Sequence, residues 1–459
     1  MTHFDLAVIG AGSGNSVITD EMAEWSIALV EQRRAGGTCL NYGCIPSKML
    51  AFTAEVVDAV DAAQQFDVDA TLEGLRWRDV RDRVFSRTDA ASDDGRTGRQ
   101  ESENITYYDG HATFTGPRRF TVTDAEGKVE EVTADRVVVA AGGRPTVPAA
   151  VVKSGLPYET SDTIMRIDAV PRRLAVLGGG YIAAELAHVF AAAGSQITIV
   201  DAADMLLGGP QDDDVRSTFT TLMRGRHDLR LGTELSSLRG SAGDLQLLLT
   251  DGSTVEADVL LVAVGRTPNG DRLNLASAGV DVDDDGHIVV DRSCRTSADG
   301  VFALGDVSEG VPLKHVANRE AEVVSHNLLH PERLRTIGDA EVPSAVFASP
   351  QMASVGRTER ECRDRKDEYR VGRAAYSEVA YGWAMQDDDG FCKVLVDATT
   401  GLILGAHVIG PQAATLIQVF VVAIEFGIPA ADLAHRPYWA HPALTEVIEN
   451  ALLDAPSVT

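Results

Sequence analysis

Two stretches of this chain repeat one pattern: a short apolar run, a glycine-rich turn, a connecting segment, and a second apolar run that ends in an acid. In the first, Phe4 to Ile9 lead into Gly10-Ala11-Gly12-Ser13-Gly14-Asn15, and Ile27-Ala28-Leu29-Val30 ends in Glu31. In the second, Leu174-Ala175-Val176-Leu177 lead into Gly178-Gly179-Gly180-Tyr181-Ile182-Ala183, and Gln196 to Val200 end in Asp201. Strand, glycine turn, helix and strand in that order form a dinucleotide-binding unit. The first two glycines permit a tight turn and let a pyrophosphate approach the N-terminus of a helix, while the acid accepts hydrogen bonds from a ribose. The third glycine position holds Ala183 in the second unit and Asn15 in the first, so the first helix must pack differently on its strand. Two such units predict two bound dinucleotides and an α/β fold with two Rossmann-like domains.

The segment Gly36-Gly37-Thr38-Cys39-Leu40-Asn41-Tyr42-Gly43-Cys44-Ile45-Pro46-Ser47-Lys48 predicts what those dinucleotides serve. Two cysteines separated by four residues, with glycines before and between them, can close a small, reducible loop. Zinc sites usually pair cysteines at C-x2-4-C spacing and come with a second pair, and Cys294, Cys362 and Cys392 are scattered and form none. A chain this long with five cysteines does not need a structural staple. A redox-active pair is the best reading. A flavin and a nicotinamide are then the economical pairing, because hydride must pass from one to the other before it reaches a disulfide.

A length of 459 residues implies about three domains. No apolar run approaches the roughly 18 residues of a membrane span, and Met1-Thr2-His3-Phe4-Asp5 carries no basic, cleavable leader. A cytoplasmic protein is expected. The net charge is −27, and only six of the 41 basic side chains are lysines (Lys48, Lys128, Lys153, Lys314, Lys366 and Lys393). Acid clusters Asp212-Asp213-Asp214, Asp283-Asp284-Asp285 and Asp387-Asp388-Asp389 stand beside glycines, where exposed turns are expected. Strong salt screens such self-repulsion, so the composition reads as adaptation to a salt-rich cytoplasm. It disfavours nucleic acid as a partner, since phosphate contacts need basic surface.

Two further segments suit the first nucleotide: Val137 to Val139 running into Ala140-Ala141-Gly142-Gly143-Arg144-Pro145, and Thr296 to Leu304 ending in Gly305-Asp306. With these, the cysteine segment, both glycine turns and the C-terminal His441-Pro442-Ala443-Leu444-Thr445-Glu446, the chain resembles the pyridine nucleotide–disulfide oxidoreductases. That family includes glutathione reductase and dihydrolipoamide dehydrogenase. The resemblance covers nearly the whole chain and implies an FAD domain (1–144), an NAD(P) domain (145–268), a returning FAD segment (269–338) and an α+β dimer-interface domain (339–459). It implies that Gly10, Gly12, Gly14, Glu31, Gly37, Thr38, Lys48, Ala141, Gly142 and Asp306 bind FAD. Gly178, Gly180, Tyr181, Ile182, Glu185, Asp201, Gly265 and Arg266 are implied for NAD(P), with Tyr181 as a gate and Lys48–Glu185 as an ion pair beside the flavin. Cys44 is implied as the thiol facing the flavin and Cys39 as the interchange thiol. His441, held by Glu446, is implied as the acid and base, supplied by the partner subunit of a homodimer.

The finer resemblance is to mycothione reductases, through Gly14-Asn15-Ser16, His315-Val316-Ala317-Asn318, Tyr381-Gly382-Trp383-Ala384-Met385 and Trp439-Ala440-His441-Pro442-Ala443-Leu444. Glutathione reductases usually carry a basic residue where this chain has Asp20. Mycothiol belongs to a bacterial group whose proteins are seldom this acidic, whereas halophilic archaea use γ-glutamylcysteine. The expected substrate is therefore the small disulfide bis-γ-glutamylcystine. The alternatives are mycothione reductase and an NAD-dependent dihydrolipoamide dehydrogenase, the latter favoured by Ile45-Pro46-Ser47-Lys48 and Leu206-Leu207-Gly208-Gly209. Kinship with small-thiol reductases implies NADPH. Asp201, followed by Ala202 and Ala203, argues for NADH, with Arg216 and Arg224 as more distant candidates for a 2′-phosphate. A mercuric reductase would need a C-terminal cysteine pair, which is missing. Asp89 to Glu103 reads as an exposed connection between helical segments. Tyr381, Trp383 and Met385 read either as a cleft lining or as a half-buried strand, and Arg33 and Arg34 read as solvated loop charges ahead of substrate ligands.

Overall fold

The computed structural model describes residues 1–209 and 211–455, so the last four residues of the expected interface domain lie outside it. Its first sheet has a parallel centre in the spatial order Ile105–Asp109, Ile27–Glu31, Thr2–Ile9, Val129–Val139. The late strand Val301–Ala303 returns to the far side of Val129–Val139, with Phe302 opposite Val138. Arg119–Thr123 and His111–Gly116 extend the sheet antiparallel. Leu6, Ala7, Val8, Val137 and Val138 are fully buried, as expected for strands covered on both faces. Helix α1 (Gly37–Asn41) and helix α2 (Cys44–Asp61) follow the second strand.

The helix expected after the first glycine turn does not form. Two short 3-10 segments, Ser13–Val17 and Asp20–Met22, take its place. Arg99 holds Asn15 through both its side-chain oxygen (2.8 Å) and its backbone carbonyl (3.2 Å), a carbonyl that an α-helix would use internally. The β-branched run Val17-Ile18-Thr19 adds little helical preference.

Arg99 belongs to helix α3 (Trp77–Gln100), which overturns the reading of Asp89 to Glu103 as a connection. Trp77, Val84, Phe85, Thr88 and Ser92 form its buried face. Two of its acids are taken up at long range: Arg166 pairs with Asp89 at 2.7 Å, and Arg34 pairs with Asp93 at 3.1 Å.

The second sheet is parallel, in the order Asp228–Leu231, Gln196–Asp201, Arg173–Leu177, Val259–Val262, Glu159–Thr160. Here the glycine turn does open a regular helix, α4 (Tyr181–Ala192), with Ala183 buried against the sheet. Helix α5 (Asp213–Arg226) and an antiparallel sheet of Leu235–Ser241, Asp244–Leu249 and Thr254–Ala257 complete this part. Gly143–Pro145 pairs with Arg266–Pro268 where the chain leaves and re-enters the first part.

Helix α6 (Lys314–Leu329) leads to the C-terminal part, an antiparallel sheet of Ser344–Val346, Met352–Gly356, Ile403–Ile409, Phe391–Asp397 and Tyr369–Ala375. Helices α7 (Ala413–Glu425) and α8 (Glu446–Asp454) pack in its core. Among the described residues no helix is long and apolar enough to cross a membrane. The architecture is α/β, with two Rossmann-like domains and a C-terminal α+β domain.

One acid cluster departs from its expected exposure. Asp212 is buried, caps α5 and meets the buried Lys393, whose ammonium contacts Asp212 (2.8 Å), Asp214 (2.7 Å) and Glu359 (2.6 Å). Asp284, Asp285, Asp388 and Asp389 do lie exposed. The Lys393 cluster ties the second nucleotide domain to the C-terminal sheet, and removing its cation leaves carboxylates facing one another. Lys393→Met is expected to lower the equilibrium unfolding free energy by about 3–5 kcal/mol in denaturant titrations. A loss below about 1 kcal/mol would show that the cluster contributes little.

Candidate active site

The two glycine turns solve one steric problem twice. Gly10 and Gly178 both have φ of +110°, and a Cβ on them would lie 2.2 Å from the Ala140 carbonyl oxygen and 2.4 Å from that of Ala263. Only glycine fits where the turn crosses the neighbouring strand end. Each turn is then held by the acid of its own unit. Glu31 accepts from Ala11 N–H (2.9 Å) and Arg33 N–H (2.9 Å), and burial raises its carboxyl above the usual range. Asp201 accepts from Gly179 N–H and from Ala203 N–H (2.7 Å).

A cavity of about 630 Å³ runs along the first turn. Gly10, Gly12, Glu31, Gly37, Thr38, Lys48, Ala141, Gly142 and Asp306 line it, together with Cys39 and Cys44. Gly14 does not. A Cβ there would lie 2.6 Å from that of Ala140, so Gly14 serves packing of the turn on its neighbour and not contact with a ligand. Gly37 is equally tight, since its Cβ would lie 2.8 Å from Gly12 Cα. A bare backbone cradle beside a buried carboxylate fits the pyrophosphate and ribose of a flavin nucleotide.

A second cavity of about 530 Å³ is lined by Gly178, Gly180, Tyr181, Ile182, Asp201, Gly265 and Arg266, and it fits a second dinucleotide. Tyr181, Ile182 and Arg266 line both cavities, whereas Glu185 lines only the first. Arg266 donates to the Gly143 carbonyl and lies 3.5 Å from Asp306. The two cavities therefore meet at Tyr181.

Both cysteines line the first cavity, as Tyr181 does. Cys39 lies in α1 and Cys44 is the first residue of α2. The hydrogen bond from Cys39 brings the Cys44 thiol down to about 7, Lys48 adds to the effect, and desolvation opposes it. The first turn of a helix also favours a thiolate. The same bond pushes the Cys39 thiol up, with burial adding to the rise and Lys314 and Lys48 pulling the other way. Negative charge thus resides on Cys44. Lys48 reaches both oxygens of the buried Glu185, at 2.7 and 2.6 Å, and Glu185 also accepts from Phe347 N–H (3.0 Å).

His441 Nδ1 lies 2.6 Å from Glu446 Oε1, and this imidazole holds the carboxyl below its usual range. The pair is formed but apart: His441 is exposed and lines neither cavity. Within one chain, the structure brings every other expected catalytic residue together and leaves this pair outside.

Other expectations resolve locally. Arg33 pairs with Asp162 (2.8 Å) and lies over the Tyr42 ring, and Arg34 is held by α3. Arg216 is tied to Asp213 (3.1 Å) and to the Leu206 carbonyl (3.3 Å), away from Asp201. Tyr381, Trp383 and Met385 lie in a short helix, Ala380–Met385, not in a strand. Cys294, Cys362 and Cys392 are buried with their thiols pushed up.

Three site residues escaped the sequence. Lys314 reaches Ser13 Oγ at 2.9 Å, His111 bridges Gln32 and the Arg272 carbonyl, and the buried Glu320 accepts from Gly305 N–H at 2.7 Å. Only Lys314 left a signal, as one of six lysines.

The profile of the Pyridine nucleotide-disulphide oxidoreductase family matches residues 4–321, and that of its dimerisation domain matches residues 342–452. The chain is 45% identical to a mycothione reductase of Mycobacterium tuberculosis, covering 99% of each sequence. It is 32% identical to a dihydrolipoyl dehydrogenase of Haloferax volcanii, covering 98% of this chain and 97% of the other. The solved structure of the HOCl-induced flavoprotein disulfide reductase RclA from Escherichia coli, as its Cu(II) complex, superposes with a TM-score of 0.86 at 26% identity over 99% of both chains. The chain is thus an FAD- and pyridine-nucleotide-dependent disulfide oxidoreductase and belongs to the pyridine nucleotide-disulphide oxidoreductase family.

Proposed function

We propose that this enzyme uses NADPH to reduce a low-molecular-weight disulfide, bis-γ-glutamylcystine, to γ-glutamylcysteine and so maintains thiol redox balance in a salt-rich cytoplasm. The observation that carries the reading is a dithiol in the first of two adjoining dinucleotide cavities, with one sulfur poised as thiolate near neutral pH. The greater identity to a mycothione reductase than to a dihydrolipoyl dehydrogenase supports a small-thiol substrate. The net charge of −27 and the shortage of lysine favour γ-glutamylcysteine over mycothiol. The division into residues 1–144, 145–268, 269–338 and 339–459 belongs to the same proposal.

Bound FAD supplies the relay that carries the electrons of the reduced nicotinamide to the Cys39–Cys44 disulfide. Gly10, Gly12, Glu31 and Gly37 would hold that nucleotide, while Gly180 and Asp201 would hold the nicotinamide dinucleotide. Tyr181 stands between the two cavities and shields one from the other. Once the disulfide is open, Cys39 attacks one sulfur of the substrate disulfide. A Cys39–substrate bond forms, the substrate S–S bond breaks, and the departing sulfur takes a proton from His441 of the partner subunit. Cys44 thiolate then displaces the second thiol from Cys39 and restores the internal disulfide. Glu446 orients the imidazole and stabilises its charged form.

Asp201 favours a second reading, an NAD-dependent dihydrolipoamide dehydrogenase, because a 2′-phosphate meets its carboxylate. Molar salt shortens the reach of that repulsion to about 3 Å.

Initial rates in molar KCl with bis-γ-glutamylcystine, mycothione, oxidised glutathione and lipoamide, each with NADPH and NADH, test the assignment. The expected outcome is preference for bis-γ-glutamylcystine with NADPH, and a further rise in kcat/KM for NADPH on Asp201→Ser. Preference for lipoamide with NADH would replace this reading by the second. Homodimers of Cys39→Ser and of His441→Ala are each expected to lack disulfide turnover, whereas mixed dimers regain about a quarter to a half of it, one intact site per pair. No recovery would place the acid elsewhere. In the reduced protein, thiolate ultraviolet absorbance is expected to titrate at about 7 and to lose that step on Cys44→Ser. Persistence of the step in that variant would reverse the cysteine roles.

A further inference from the structure

Helix α1 carries Cys39 but is too short to hold itself. Its five residues, Gly37–Asn41, close little more than one turn, and an isolated turn fixes more dihedral freedom than its hydrogen bonds return. Side chains at either edge of the turn hold it in place. Asn41, its last residue, is fully buried and donates from Nδ2 to the carbonyls of Ala35 (2.9 Å) and Gly37 (3.0 Å), which ties the end of the turn to its start. Ser92, equally buried and 57 residues beyond Ala35, donates to the same Ala35 carbonyl at 2.7 Å.

Ser92 lies within α3, where a serine hydroxyl can turn back to a carbonyl of its own helix. Ser86 of the same helix does so onto Arg83 (3.2 Å), whereas Ser92 reaches out. Arg34 docks on the same stretch of α3, at the Asp89 carbonyl (3.3 Å) and at Asp93 (3.1 Å), so two consecutive residues of the approach to α1 are pinned there. Cys44 is anchored elsewhere: α2 is held to α4 through Lys48–Glu185 and Asp58–His188. The two sulfurs thus sit on pieces held by different partners and joined through Tyr42 and Gly43. Ala35, Asn41 and Ser92 line neither cavity, so their bonds serve the turn and not a ligand.

We propose that Ser92, acting through the Ala35 carbonyl that it shares with Asn41, is a positioning residue for Cys39 and sets the redox equilibrium of the Cys39–Cys44 pair. This rests on the pair closing a disulfide. Closure confines both Cβ atoms to a narrow range of separation. A turn already fixed against α3 has lost most of that freedom on folding, so closure has less left to remove. Ser92 touches neither sulfur and acts on the equilibrium through the turn alone.

The test equilibrates the FAD-bound enzyme with reduced and oxidised dithiothreitol in varied ratio, traps the thiols by acid and alkylation, and reads the disulfide fraction by mass spectrometry. Each disulfide that forms in the protein opens one in dithiothreitol, which takes up the two electrons and two protons. Ser92→Ala is expected to lower the equilibrium constant for closure about three- to tenfold, a rise in potential of about 15–30 mV. Asn41→Ala is expected to shift it the same way, and the two shifts are expected not to add, since both bonds end on one carbonyl. Ser86→Ala, on the same helix, is expected to leave the potential where it is. An unchanged potential in Ser92→Ala would overturn the proposal, whether or not FAD is retained. So would simple addition of the two shifts, or an equal shift in Ser86→Ala. If the parent enzyme forms no Cys39–Cys44 disulfide at any ratio, the reading of the pair itself fails, and this proposal with it.

Discussion

The buried carboxylate of Glu185 is the junction on which the site depends. It takes Lys48 from the cysteine helix on both oxygens and the Phe347 amide just beyond the first strand of the C-terminal sheet. It is itself carried on α4, the helix that opens from the second glycine turn. Cys44 and Lys48 are four apart in α2, so they share a helix face, and fixing one fixes the other. Glu185 and His188 are three apart in α4, and His188 meets Asp58 of α2 at 2.9 Å. Two rungs, the Lys48–Glu185 ion pair and the His188–Asp58 hydrogen bond, therefore hold the cysteine helix against the nucleotide helix. Removing either partner of the inner rung strands a charge in a half-dry cavity, which costs more than the pair contributes.

The distribution of lysine follows from geometry. An ammonium is a compact point charge on a flexible stem, whereas a guanidinium is a planar fork. Three carboxylates converge from α5, from Glu359 and from the cap of α5 on the compact ammonium of the buried Lys393. Lys48 spans both oxygens of a single buried carboxylate from one turn beyond Cys44. Lys314 reaches Ser13 of the first glycine turn from within the first cavity. Three of six lysines are thus interior, while arginine supplies most of the surface ion pairs, including those that hold α3 to its neighbours.

What the sequence made legible is what short-range sterics dictate. The glycine turns announce themselves because a Cβ at Gly10 or Gly178 has nowhere to go, and Glu31 and Asp201 because each closes back on its own turn. The five-residue spacing of Cys39 and Cys44 is likewise local. The failures share the opposite cause. Asn15 loses its helix to Arg99, 84 residues away; Asp89 gains one through Arg166, 77 residues away; Asp212 is buried by Lys393 at a separation of 181. Lys314 and Ser13 are 301 residues apart, and no local pattern connects them. Periodicity also misjudged Tyr381, Trp383 and Met385, because a helix of six residues is too short to display its own period.

The separation of His441–Glu446 from the thiols bears on why the proposed assembly is a dimer. The dyad is fully formed in one chain, with the imidazole exposed, so a second copy need only deliver it and does not have to build it. The surfaces that could accept that copy are apolar and regularly spaced. Phe52 and Val56 are 66% and 52% exposed on α2, and Val422 (49%) and Phe426 (76%) are exposed along and just beyond α7, each pair four apart. Such pairs form stripes along one helix face, and stripes left in water favour burial against another surface. One stripe lies on the helix whose first residue is Cys44. Docking a partner there would cover the apolar face and approach the dithiol in the same event, which couples subunit association to completion of the acid–base machinery.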